Sequence, residues 1–336
     1  MISKSRKKII LTVAIFSIAM ILANILHADT VSFVPLEIKD LSLDNIDEGT
    51  YQTPDTDEKV ETVRTSFTSQ GPIHIDEYEV EGITWEQAKD EFELSGFGTV
   101  ESPYRIAWFN ISGGDSANCI TIENSNAHFL IYACEVHNSK KGDPYEDAGI
   151  KLINTNNGKI ISNKIYLNEN GISLTECENI IILENSVYDN DGTGIAIVSS
   201  DHNTISRNIA NDNDLTGIAI GYSNYNTISR NTVNDNEYFG INLYESHDNT
   251  ISKNNIINNG AFDGTGLRLY YSDNNTISEN YLLKNGQYPQ PYLWCGFGIY
   301  LEDSDENILI KNRILESRVG FFIDELSNDN NITENV

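Results

Sequence analysis

The side chains most able to do chemistry fall into two groups: stacked acids, and aromatics around an arginine. Asp189, Asp212 and Asp235 recur at 23-residue intervals. Each precedes an asparagine (Asn190, Asn213, Asn236), and a second acid follows it: Asp191, Asp214 and Glu237. Stacked carboxylates repel unless they are hydrated or bridged by a cation. Calcium takes carboxylate and carbonyl oxygens, and a turn offers both. These six acids are therefore candidate calcium ligands. The competing reading is a row of solvated turn acids, with no cofactor required.

The second group is Tyr244, Arg268, Tyr270, Tyr300 and Glu302, with Tyr292 and Trp294 in an insertion that also holds Tyr288, Pro289 and Pro291. Rings stack on the apolar face of a sugar while charged groups bond its hydroxyls. A polysaccharide or other glycan is the expected ligand. The competing reading has the insertion fold back and bury its own aromatics. Glycoside hydrolysis needs two carboxyl groups at a set separation. Glu302 and Asp263, with Arg268 nearby, are the candidate catalytic residues. His202 and His247 sit in turn positions and read as solvated.

These residues are positioned by a repeat. Gly149, Gly171, Gly194, Gly217, Gly240, Gly266, Gly298 and Gly320 each precede an apolar–x–apolar run. The intervals are 22, 23, 23, 23, 26, 32 and 22 residues. A fixed period in this range marks a solenoid. An apolar column follows (Ile160, Ile182, Ile205, Ile228, Ile251, Ile277, Leu309, Ile332), with Asn three residues later each time, from Asn163 to Asn335. Short period-two runs between turns are strands. The expectation is an all-β parallel β-helix of about nine coils. Its asparagine columns bond one coil to the next, and a serine column (Ser200, Ser223, Ser246, Ser272, Ser304, with Cys177 in register) does the same. Asn is abundant because it suits turns: 41 residues, 34 of them from Asn154 onward.

The unit Asn-Thr-Ile-Ser-x-Asn, at Asn226, Asn249 and Asn275, with the Gly-Ile-x-Leu run, resembles right-handed parallel β-helix repeats of the NosD and pectate-lyase-like type. The resemblance covers roughly residues 96–336 and implies a right-handed coil. That fold hosts lyases, glycosidases, epimerases and non-enzymatic surface proteins. The paired aspartates and His-Gly of polygalacturonases are absent, as is the Asp-Pro-His-Asp of alginate epimerases. A copper role is implied by the family name alone. Copper favours Met, Cys and His, yet both methionines, Met1 and Met20, lie in the N-terminal segment, and the four cysteines do not form one column.

The formal charge of -28, from 50 acids and 22 lysines and arginines, repels phosphates and excludes nucleic acid as a partner. A basic start followed by an apolar run over residues 9–26 reads as a signal peptide or membrane anchor spanning residues 1–28. The bulk of the chain is then secreted, periplasmic or on the outer surface, touching a membrane only through that segment. Residues 29–83 read as an acidic linker, 84–99 as an N-terminal cap segment and 100–336 as the β-helix. Within the cap, residues 84–92 (TWEQAKDEF) predict a helix with Thr84 as N-cap and Gln87 closing a capping box. The coil at the C-terminal end is incomplete, which suggests truncation, a partner or a missing cap. Three functions stay open: non-catalytic glycan binding at the surface, a polysaccharide lyase or glycosidase, and a structural spacer.

Overall fold

The computed structural model describes residues 67–139, 147–261, 264–286 and 296–336. The expected export segment, most of the expected linker, and Asp263, Tyr292 and Trp294 lie outside the described residues. Among the described residues, no helix is long and apolar enough to cross a membrane.

The chain winds through three parallel sheets of 10 strands each, visiting each sheet once per coil. The first sheet runs from Thr68–Gln70 to Arg313–Leu315, the second from Ile73–Asp76 to Val319–Ile323, and the third from Tyr104–Ala107 to Asn331–Thr333. The register is the one the columns predict. Ile182, Ile205, Ile228, Ile251, Ile277 and Leu309 stack in the third sheet. Ile195, Ile218, Ile241, Leu267 and Ile299 stack in the second. All are fully buried, so the core is a column of β-branched and leucine side chains running the length of the rod.

The rod starts earlier than the repeat suggests. Thr68–Gln70 and Ile73–Asp76 already pair with Phe109–Ser112 and Ile120–Glu123, inside the span read as linker. Their coil carries neither the glycine run nor the ladder asparagine. It is held instead by Asp76, which is buried and accepts from the backbone N–H of Tyr78, Val80 and Glu81 and from Asn124 Nδ2. Burial pushes this carboxyl up, but those four donors outweigh it and hold it below the ordinary range. The helix Trp85–Glu91 has the expected capping box at Thr84 and Gln87. It closes this end of the core with Trp85, which stacks on Tyr104 at 4.8 Å and donates to Ser125 Oγ at 2.9 Å.

Each corner pairs a left-handed residue with an inward polar one. Arg207, Arg230 and Lys253 have φ of 55°, 56° and 58°, and each is followed by a ladder asparagine. Asn208 Nδ2 donates to Asn231 Oδ1 at 3.1 Å and to Ile182 O at 2.9 Å, and its own Oδ1 accepts from Asn185. The pattern runs unbroken from Asn163 to Asn335. A second column runs from Asn168 to Asn285 in the same way. The serine column bonds backbone N–H to hydroxyl, with Cys177 N donating to Ser200 Oγ at 2.9 Å. The sharp corners leave buried backbone groups unpaired, and these side chains satisfy them. The repeat glycines sit where the asparagine approaches: a Cβ on Gly217 would lie 2.7 Å from Asn236 Nδ2 and 2.4 Å from Val233 Cγ1.

Candidate functional site on the second sheet

Along the second sheet, outward residues come into register as the alternation predicts. Asn242 pairs with Arg268, and Arg268 with Tyr300; beside them run Tyr244, Tyr270 and Glu302. Arg268 is the centre. It forms an ion pair with Glu302, and its guanidinium lies 4.6 Å from the Tyr270 ring centroid, 5.7 Å from Tyr300 and 5.5 Å from Phe239. A cation among aromatic faces gains from their quadrupoles and from the low dielectric they create. The structure thus brings together five predicted residues: Tyr244, Arg268, Tyr270, Tyr300 and Glu302.

It also corrects how open they are. Exposed rings were expected, yet Tyr244 is only 7% exposed, Arg268 4% and Phe239 3%. Tyr270 and Tyr300 are half-buried, and Tyr271 is the exposed ring, 4.2 Å from Tyr270. Burial pushes the phenols of Tyr244, Tyr270 and Tyr300 above the ordinary range, and Glu302 adds to this at Tyr270 and Tyr300. They therefore stay neutral hydrogen-bonding groups. Of the two candidate catalytic carboxyls, Glu302 is engaged by Arg268 and Asp263 lies outside the described residues.

The alternation also singles out neighbours that sequence reasoning passed over. Asn242 stands between inward Ile241 and Leu243, and is outward and 1% exposed. Tyr222 sits edge-on to Tyr244 at 5.2 Å. On the first sheet, His137, Tyr166 and Tyr188 form a face-to-face stack at 5.2 and 5.4 Å, with Lys164 4.8 Å from the Tyr166 centroid. The 22-residue spacing of Tyr166 and Tyr188 is the signal that would have found it. These rings cover one another, so their faces are closed to a ligand.

The acid columns do not form the expected calcium site. Among the described residues, no three His, Cys, Asp or Glu side chains are placed to share a metal ion. The column is explained by its corner: Asp189, Asp212 and Asp235 have φ of 52°, 52° and 56°, a conformation that Asp tolerates. Amides meet the charges. Asp212 accepts from Asn211, and Asp235 from Asn234 and Asn258. In the next coils Asn258 and Lys284 take the same left-handed corner position. Of the outer acids, Asp191 and Asp214 have partners of their own. The Glu237 carboxyl is pushed up by burial and then by the neighbouring Asp214 charge.

This rod, with its stacked parallel strands and laddered corners, is a right-handed parallel β-helix. Residues 104–290 match the family described as periplasmic copper-binding protein (NosD), and the chain belongs to that family. No curated protein matches it significantly. Among solved structures, the periplasmic alginate epimerase AlgG is similar at 21% identity with a TM-score of 0.50, over 69% of this chain and 58% of that one. The DFA-IIIase of Arthrobacter chlorophenolicus A6, solved without its lid, is similar at 14% identity with a TM-score of 0.51, over 67% and 60%. The chain thus spans less than two thirds of either protein, and the likeness is one of fold.

Among the described residues, the cysteines do not fit copper, and no three His, Cys, Asp or Glu side chains are placed to share a metal ion. Cys119, Cys134 and Cys177 are buried, and burial pushes their thiols up to about 12, 11 and 12. Soft metals bind thiolate, which these sites disfavour. Their sulfurs instead lie against carbonyls of His137, Tyr132 and Thr175. Met1, Met20 and Cys295 lie outside the described residues.

Proposed function

We propose that this is an exported β-helix protein that binds a polysaccharide without cleaving it, through the outward face of the second sheet around Arg268. One observation carries the reading. The outward column varies along the rod (Lys151, Ser173, Ala196, Ala219, Asn242), and at Arg268 it places an arginine buried between tyrosines and paired to Glu302. A buried ion pair is weak evidence for stability, so its use is sought in recognition. Three further points support it. The family is described as periplasmic, the N-terminal residues have the pattern of an export signal, and AlgG, of the same fold, is an alginate epimerase. The rings of Tyr270, Tyr271 and Tyr300 supply the stacking surface, with Tyr292 and Trp294 of the insertion as further contacts. A glycan array probed with the full chain tests this. Binding is expected, and Arg268→Ala together with Tyr300→Ala abolishes it. Absence of binding to every glycan would leave the structural spacer as the reading.

The second reading is a lyase or glycosidase acting through Glu302 and Asp263 with Arg268, of which Glu302 and Arg268 belong to this cluster. Release of reducing ends or unsaturated products from a bound polymer would establish it, with Glu302→Gln inactive.

A further inference from the structure

Four buried side-chain polar atoms among the described residues have no hydrogen-bond partner: Thr216 Oγ1, Asn242 Oδ1, Arg268 Nε and Ser317 Oγ. The first three fall in three consecutive coils of the second sheet. Asn242 and Arg268 are register partners. Thr216 stands one coil before Phe239, at the same corner, where the next glycine N–H bonds across the coils. Elsewhere in the rod the neighbouring coil supplies the missing partner. Here it does not: Ala219 lies on one side of Asn242 and Tyr300 on one side of Arg268, and where the two face each other the guanidinium is held by Glu302 instead. An unpaired buried polar group costs about 1–3 kcal/mol, so three together point to partners that arrive from outside.

Their chemistry defines the partner. Asn242 Oδ1 only accepts, Arg268 Nε only donates, and the Thr216 hydroxyl does both. A ligand hydroxyl can give its proton to Asn242 and accept from Arg268 at once. A uronate offers similar ring hydroxyls, but its carboxylate would find the guanidinium already held by Glu302. The surrounding charge adds to this. Glu245, Glu302, Asp303 and Asp324 line the tyrosines, and Tyr244 bonds Glu245 while Tyr271 bonds Asp303. Burial pushes the Asp303 carboxyl up, and Asp324, Glu302 and Asp305 push it further. Arg318, the next cation along, lies at the Gly296 corner.

Building on the glycan-binding reading, we infer that the ligand is a neutral glycan rather than a polyuronate, and that Asn242 and Thr216 contact its hydroxyls. Tyr244 and Tyr270 lie on one side of Asn242 and Arg268, and Thr216 stands on the other, in the column of Phe239. The sugar's uncharged hydroxyls take the place of the absent coil-to-coil bonds.

The test is calorimetric titration of the full chain with neutral polymers (a β-glucan, a galactomannan) and with polyuronates (alginate, polygalacturonate), at low and high salt. A neutral polymer is expected to bind at least about tenfold tighter than either uronate. Asn242→Leu and Thr216→Val should weaken that binding about tenfold or more. They should also leave Tm unchanged or raised, because they remove an unpaired polar atom while keeping its shape. A merely structural role would lower Tm instead, and that result overturns the assignment of Asn242 and Thr216. Uronates that bind as tightly as the neutral polymers overturn the inference while keeping the glycan reading. Binding to neither class overturns both.

Discussion

The corners of the rod and the outward face of its second sheet handle buried polarity in opposite ways. At the corners each coil from Asn163 to Asn335 repeats the same asparagine, and each amide between them bonds its copies above and below: Asn231 accepts from Asn208 and donates to Asn254 and Ile205 O. On the outward face the repeat breaks. In one column Ala219 gives way to Asn242, then Arg268, then Tyr300, and none of these meets its copy, while the neighbouring column still pairs Tyr244 with Tyr270. Identity between coils satisfies polar groups, whereas departure from identity strands them. In a repeat protein, positions that abandon the repeat and remain buried are therefore where a ligand should be sought.

The sharpest way to break this comparison is to make the same substitution in both places. Asn231→Leu removes a buried amide that makes four hydrogen bonds, to Asn208, Ile205 and Asn254, and should cost about 4 kcal/mol, read as a lower urea midpoint. Asn242→Leu, also a buried asparagine, should cost nothing. Equal losses would mean that the outward face is held together as the corners are. The next largest effect is expected at Arg268. Arg268→Met leaves Glu302, only 12% exposed at its side chain, without its cation. It should destabilise by about 3 kcal/mol, and adding Glu302→Gln should recover most of that. No recovery in the double variant would show that Arg268 acts through its ring contacts instead.

How much of this was legible in the sequence follows the same division. The columns of Ile182, Asn208 and Gly217 are readable because each role is written once per coil at fixed spacing. The first coil was missed because Gln70, His74 and Asp76 carry none of the repeat's residue types, and only pairing with Phe109–Ser112 and Ile120–Glu123 shows it as a strand pair. Tyr244, Arg268 and Tyr300 could be placed outward by alternation. Their burial could not, because alternation says which way a side chain points and nothing about what covers it. Asn242 is a single departure in one coil, invisible until the partners of its oxygen are counted. The acid column was legible as a column, but its cause, a left-handed corner, is a backbone property.

A smaller effect probes the charge around the site. Asp303 has its folded value raised, first by burial and then by Asp324. The folded chain therefore holds this proton more tightly than the unfolded chain does. The associated stability is present at low pH and is lost as pH rises from the ordinary carboxylate value through the raised folded one. Asp303→Asn should raise Tm at neutral pH and flatten its pH profile in that window, by less than about 1 kcal/mol because the group is largely solvated. Asn also suits the left-handed φ of 45° at this position, so the substitution adds no strain. A fall in Tm would mean that the Tyr271–Asp303 bond outweighs the repulsion.

The smallest expected effect is that of calcium. If the corner aspartates were ligands, their stacking would be a binding device, and the corners would join the outward face as a place for ligands. The hydrogen bonds to Asp235 from Asn234 and Asn258 argue otherwise, since amide donors already meet its charge. Calcium returned to EDTA-treated protein should leave Tm unchanged, and Asp235→Asn should behave like the parent with or without the ion. The side chain at this corner then matters only for tolerating positive φ, so Asp235→Ala should lower stability by about 1 kcal/mol, and Asp235→Asn by nothing measurable. A calcium-dependent rise of several degrees that Asp235→Asn removes would show instead that a cation bridges the coils.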